Sequence, residues 1–250
     1  MKLKRVIAFI ILIVTLFTLT GCIDLLGTEV TMDCVTYKKY ETNGSVSYKI
    51  KKINTTGTDD TLERIYVRDE INGKKVVGVS GYFAKLYVVT VKNTERIYFP
   101  WSLSGSYMGI GYRSIETKIK YAIHPSYDVH VLGHGDDYNN VTFVITKELY
   151  DKGGFPRYRT FVPANIAYFF NYTDSPNGGY FFVDIEEQTG KIIKPPYDPK
   201  REGYTFTGWY KDAECTEKWN FKEDNVVVNY DEEGDRIFEE LCLYAGWNIE

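Results

Sequence analysis

The chain is poor in the residues that most enzymes rely on. It has only three histidines, His124, His130 and His134, and four cysteines in 250 residues. No two cysteines stand in a Cys-x-x-Cys spacing, so a cysteine zinc site or a thioredoxin-like redox centre has no basis here. No Gly-x-Ser-x-Gly elbow, His-Glu-x-x-His pair, phosphate loop or dinucleotide fingerprint occurs. Gly105, Gly109 and Gly111 lack the spacing and following helix that phosphate binding needs. A dense basic stripe is missing too: 34 acidic residues face 30 basic ones. Nucleic-acid binding draws most of its affinity from phosphate neutralisation, and that class is set aside. Beyond the first twenty or so residues there is no second long apolar run.

The start is distinctive. Lys2, Lys4 and Arg5 precede an uncharged run from Val6 to Thr20 rich in Ile, Leu, Val and Phe. At about 15 residues the run is too short to span a bilayer, which takes roughly 20. A basic start followed by a short apolar stretch is the layout of an export signal. The stretch closes on Leu19-Thr20-Gly21-Cys22, which resembles the lipobox of bacterial lipoproteins: an aliphatic residue, two small residues and a cysteine. That resemblance implies cleavage before Cys22 and acylation of its sulfur. Each buried acyl CH₂ contributes about 0.8 kcal/mol, so two or three chains hold a protein at a membrane. Without Lys2, Lys4 and Arg5 the formal net charge moves from −4 to −7. The expected product is an acidic, extracytoplasmic, membrane-anchored protein.

Of the remaining cysteines, Cys34, Cys215 and Cys242, the last two both fall near the C-terminus. They could pair outside the cell, but spacing alone does not fix their separation.

What is abundant is aromatic: 22 Tyr and 14 Phe. Tyr suits half-buried strands first and exposed recognition surfaces second, so the excess points to a mainly β chain. Val35 to Tyr40, the pair Asn43-Gly44 and Ser45 to Ile53 read as a hairpin, because Asn-Gly accepts the positive φ of a tight primed turn. Glu70-Ile-Asn-Gly-Lys-Lys-Val-Val-Gly-Val-Ser80, with Gly81-Tyr82-Phe83-Ala84 behind it, resembles the opening of leucine-rich repeats of the BspA-like class in degenerate form. Strands are expected at Leu86–Val91, Glu95–Pro100 and Ile119–Pro125. Their recurrence at roughly 25 to 30 residues is close to a solenoid repeat length. Further strands are expected over Thr142–Tyr150 and Asn165–Tyr172, before the Asp174-Ser-Pro-Asn-Gly-Gly179 turn.

The C-terminal residues are the most diagnostic. Gly203 supplies a turn; Tyr204 and Phe206 share one strand face, Thr205 and Thr207 the other; Gly208 lets Trp209 pack closely. Leu243, Ala245 and Trp247 share a face of the last strand, and Trp209, Trp219 and Trp247 read as aromatic packing in a small domain. In order, the Pro196-x-x-Pro199 approach, Arg201-x-Gly203-Tyr204-x-Phe206-x-Gly208-Trp209, Trp219-x-Phe221 and Leu243-Tyr244-Ala245-x-Trp247 resemble the Listeria–Bacteroides repeat, the internalin B-repeat type of module. The resemblance implies a β-grasp-like fold and a spacer or interaction role, with no catalytic residue to carry over.

The expected organisation is a signal peptide over 1–21, a lipidated tether over 22–33, a short β-solenoid-like repeat region over 34–165 and a small β-grasp-like domain over 166–250, with α structure minor. The expected function is non-catalytic adhesion or protein–protein contact, with no cofactor, at a membrane reached through the lipid, and with a protein or glycan as ligand. The alternative is a carbohydrate- or cell-wall-binding protein or hydrolase using the Tyr-rich middle region. His124, His130 and His134, near Asp136 and Asp137, are the one cluster that metal binding or general-base chemistry could use. Pro125 and the glycines flanking His134 argue instead for loop positions. The acidic stretch Asn229–Asp235 could take calcium, but it lacks the ligand spacing of a calcium loop and reads as a solvated turn.

Overall fold

The computed structural model describes residues 29–54, 62–79, 85–89, 93–103, 109–112, 119–123, 141–155 and 160–250. The lipobox with Cys22 and the three histidines lie outside the described residues. The chain is mainly β. It divides into two compact units, residues 1–120 with 128–140, and residues 121–127 with 141–250.

The first unit opens with an antiparallel sheet of β1 (Glu29–Met32), β2 (Val35–Thr42) and β3 (Ser45–Asn54). β1 lies within the 22–33 stretch read as a tether. Asn43 and Gly44 turn the β2–β3 hairpin with φ of 52° and 74°, both left-handed, as a type I′ turn requires. The same device, Asn72-Gly73 at 50° and 70°, joins β5 (Glu70–Ile71) to β6 (Lys74–Val79). Val35, Tyr37, Ile50 and Ile53 are buried to 0% exposure and form one face of this sheet's core. The Tyr37 hydroxyl accepts a hydrogen bond from the Arg68 backbone N–H at 3.0 Å.

Parallel pairing then takes over. β3 pairs in parallel with β6 and with β7 (Lys85–Val89), and β7 with β9 (Gly109–Tyr112). β4 (Arg64–Tyr66) pairs in parallel with β8 (Arg96–Tyr98), placing Ile65 on Ile97 and stacking Tyr66 on Tyr98 at 4.5 Å. Strands separated by roughly 20 to 30 residues and stacked in parallel register are the way successive coils of a repeat bury a shared apolar face. Asp69 sits beside this ladder; its carboxylate accepts from the Ser102 hydroxyl at 3.3 Å and backbone N–H at 3.4 Å. Burial pushes its pKa above the ordinary carboxylate value, against those hydrogen bonds.

The second unit begins with a similar parallel ladder: β10 (Tyr121–Ile123), β11 (Thr142–Ile145) and β12 (Thr160–Pro163). The Thr142–Tyr150 stretch departs from expectation, because the strand stops at Ile145 and α1 (Lys147–Lys152) follows. The Thr146 hydroxyl caps it, accepting from Leu149 N–H at 3.3 Å; Lys147–Asp151 and Glu148–Lys152 pair one turn apart, and Gly153 ends it at φ 68°. The cap and the charge pairs outweigh the apolar pattern that reads as strand.

The C-terminal sheet holds four strands in the order β14 (Tyr180–Asp184), β13 (Ile166–Phe169), β18 (Leu241–Ile249), β15 (Tyr204–Tyr210). The two central strands are parallel and the outer ones antiparallel to them. Residues 185–203, between β14 and β15, carry no helix. A small hairpin, β16 (Asn229–Tyr230) with β17 (Arg236–Ile237), precedes the last strand.

Candidate functional site

Trp209 is the centre of the C-terminal sheet's inner face. It is 1% exposed and meets Tyr168 at 4.9 Å, Phe206 at 5.2 Å and Phe181 at 5.5 Å between ring centroids. Simple alternation would put Phe206 and Trp209 on opposite faces. A register shift between Phe206 and Gly208 adds one residue to β15 and brings both rings to the same side. Phe206 also meets Trp247 at 5.8 Å, while Leu243 and Ala245 fill the sheet beneath at 0% exposure. The Trp247 indole donates to the Phe170 carbonyl at 2.7 Å. The indoles of Trp209 and Trp219 are buried with no acceptor among the described residues. That costs about 1–3 kcal/mol each, against which the burial of two whole aromatic side chains must stand.

The bulge explains the glycines. Gly208, at φ 135°, lies directly opposite Gly246 on β18. A Cβ on Gly246 would fall 2.3 Å from Tyr210 Cε2 and 2.5 Å from Thr207 Oγ1, so the Tyr210 ring lies where a side chain would stand. Over Gly208 passes the Lys218 side chain, whose ammonium donates to the Thr207 carbonyl at 2.6 Å. Gly203 is in the left-handed region at φ 72° and turns the chain into β15. Arg201 is sandwiched there, its guanidinium 3.6 Å from the Tyr204 ring centroid and 4.6 Å from that of Tyr172.

Trp219 is anchored by its backbone N–H, which donates to the Trp209 carbonyl at 2.8 Å, and meets Phe221 at 6.4 Å. With Lys218, Asn220, Phe221 and Lys222 it lines an open depression of about 480 Å³. Around it, Lys211 binds Glu217 and, at 3.0 Å, Asp224. The hydrogen bond to Glu217 raises the Lys211 pKa. Backbone N–H groups hold Asp212 and Asp224 below the ordinary carboxylate range.

Tyr244 parts company with the other motif aromatics. It lies on the sheet's second face, stacked on Phe169 at 5.5 Å, and Phe169 meets Tyr180 at 4.7 Å. These half-buried rings form an aromatic strip. Burial pushes the Tyr180 hydroxyl up to about 12 and the neighbouring Cys242 thiol up to about 11. Cys34, Cys215 and Cys242 are thiols outside any disulfide. Asn171, which sequence reasoning passed over, sits at φ 57° and donates to the Ala213 carbonyl at 2.9 Å and the Ala245 carbonyl at 3.2 Å. Its only signal was an Asn after a strand, a residue that tolerates positive φ.

In the acidic hairpin, Asp231 accepts from the N–H groups of Glu233 and Asp235 at 3.0 and 2.8 Å, so its carboxylate closes the turn. Among the described residues no group of three His, Cys, Asp or Glu side chains is placed to hold a metal. No helix among them is long and apolar enough to cross a membrane.

Residues 168–233 match the Listeria-Bacteroides repeat domain. Part of the chain is similar to two other bacterial proteins. One is a "Putative Gly-rich membrane protein" of Evansella cellulosilytica, 40% identical over 73 residues, which are 29% of this chain and 7% of the relative. The other is internalin H of Listeria monocytogenes, 37% identical over 59 residues, or 24% of this chain and 9% of the relative. The chain therefore spans less than a tenth of either. No solved structure gives a significant match.

Proposed function

We propose that the protein is a bacterial surface lipoprotein, anchored through acyl chains on Cys22, in which the C-terminal module serves adhesion or protein–protein contact without catalysis. The observation that carries this reading is the repeat-domain match over 168–233, together with relatives that are by name a membrane protein and an internalin. The physics of the module supports it: the motif residues Trp209, Leu243 and Ala245 are spent on the core. The half-exposed rings Phe169 and Tyr244, and the open depression beside Lys218, Phe221 and Lys222, offer surface for contact. We read the sheet as β-grasp-like on strand order alone, and the parallel ladders as a short, degenerate BspA-like leucine-rich-repeat region.

The test is to probe the protein, purified from membranes, against an array of glycans and extracellular proteins. Binding to a protein, reduced at least about tenfold by Tyr180→Ser with Tyr244→Ser, supports the reading. Binding to one sugar alone, unaffected by those changes, overturns it in favour of a carbohydrate-binding protein.

A further inference from the structure

The β1–β3 sheet of the first unit has a second, polar face, on which Thr36 is buried and Lys38, Tyr40, Lys49 and Lys52 are half-buried. Lys38 of β2 stands directly across from Lys49 of β3, and Thr36 directly across from Lys52, so all three lysines share that face. Both Lys38 and Lys49 lie over the Tyr40 ring, at 5.7 and 4.8 Å. Like charges directly opposite one another weaken a strand pair, so this arrangement is one a sheet avoids in isolation. The carboxylate nearest in register, Glu29 opposite Lys38, is engaged by Lys51 at 2.5 Å. That leaves Lys38, Lys49 and Lys52 with no ion-pair partner among the described residues. The charge is local: residues 29–54 hold five basic and three acidic residues, whereas 166–250 hold eight basic and 18 acidic.

We propose that the Lys38–Lys49–Lys52 face docks on the anionic lipid surface of the membrane that carries the protein. The length of chain to the anchor argues for that occupant. Seven residue steps separate Cys22 from Glu29, at most about 25 Å when fully extended. The lysines are thereby held near a surface whose field decays over about 8 Å at physiological salt. With two or three acyl chains already holding the protein, the basic face sets how the first unit lies on the membrane, with Tyr40 suited to the interface. The tether length rests on the lipid-anchor reading.

The test is amine-selective labelling of the full membrane-purified protein in vesicles, with rates read lysine by lysine by mass spectrometry. A surface at about −30 mV concentrates protons roughly threefold. Labelling of Lys38, Lys49 and Lys52 is therefore expected to slow about threefold or more in vesicles with about 30 mol% phosphatidylglycerol relative to pure phosphatidylcholine. Lys39, on the opposite face of β2, should change less. High salt should abolish the difference, and in K38E/K49E Lys52 should lose its protection. Equal rates in the two vesicle types overturn the proposal, as does equal protection by soluble polyphosphate over phosphatidylcholine vesicles. The intact mass of the same sample reports acylation of Cys22 separately, so loss of the anchor and loss of docking are distinguishable.

Discussion

Gly246→Ala isolates the packing claim at the centre of the module. Gly246 is not at a positive φ, so its backbone accepts alanine, and the change removes a glycine penalty of about 0.5–1 kcal/mol in a strand. Against that gain, the new methyl meets the Tyr210 ring edge at 2.3 Å and Thr207 Oγ1 at 2.5 Å, far inside the ordinary contact distance. Tyr210 is held by its strand pairing to Tyr244, by Lys218 over its ring at 5.8 Å and by its hydroxyl 3.4 Å from Thr207, so it cannot simply swing away. Overpacking of this kind costs about 1–3 kcal/mol, and contacts this short put the cost near the upper end, leaving a net loss of about 2 kcal/mol. Urea unfolding followed by tryptophan fluorescence reads it, because three of the four tryptophans, Trp209, Trp219 and Trp247, lie in this module. If the clash is the cause, Tyr210→Ala in the same chain should erase most of it, with a coupling of about 1 kcal/mol or more in the double-mutant cycle. A Gly246→Ala protein as stable as the parent, or a clash energy indifferent to Tyr210→Ala, refutes the reasoning.

Arg201→Ala removes a guanidinium sandwiched between Tyr204 and Tyr172 and should lower stability by about 1 kcal/mol, with Arg201→Lys recovering only part, as thermal melts would show. In thiol alkylation near pH 8, Cys215 should react well before Cys242, whose thiol burial pushes up to about 11; the reverse order by peptide mass spectrometry contradicts the placement. Asp69→Asn keeps an acceptor for Ser102 while removing a buried charge. Since the folded-state pKa of Asp69 is raised, the folded protein binds the extra proton, and wild-type stability falls as pH rises from the ordinary carboxylate value through the raised one. The stability of Asp69→Asn relative to wild type should therefore grow across that window; a flat difference in urea melts contradicts it.

Much of the β character is written locally. Asn43-Gly44 and Asn72-Gly73 specify their turns through two consecutive left-handed residues. The core of the C-terminal module is legible for the same reason, since Trp209, Leu243 and Ala245 have little use except in packing. What alternation could not reveal is the extra residue in β15, which puts Phe206 and Trp209 on one face; the opposite face of Tyr244 follows from alternation in β18. Bulges are set by the partner strand, here by Gly246. Nor does spacing show how Arg201 is held, because its two tyrosines come from Tyr172 and Tyr204, far apart in the chain. Helix α1 was hidden because three apolar residues before Thr146, Phe143 to Ile145, continue into Leu149 and Tyr150, and only the cap and charge pairs decide the change.

The most direct measurement is the intact mass and N-terminus of the protein recovered from cells of its source, with membrane and soluble fractions compared. The account predicts a chain that begins at residue 22, heavier than its sequence by a diacylglyceryl group or more, and confined to the membrane fraction. An unmodified Cys22 in a soluble, uncleaved chain would contradict it.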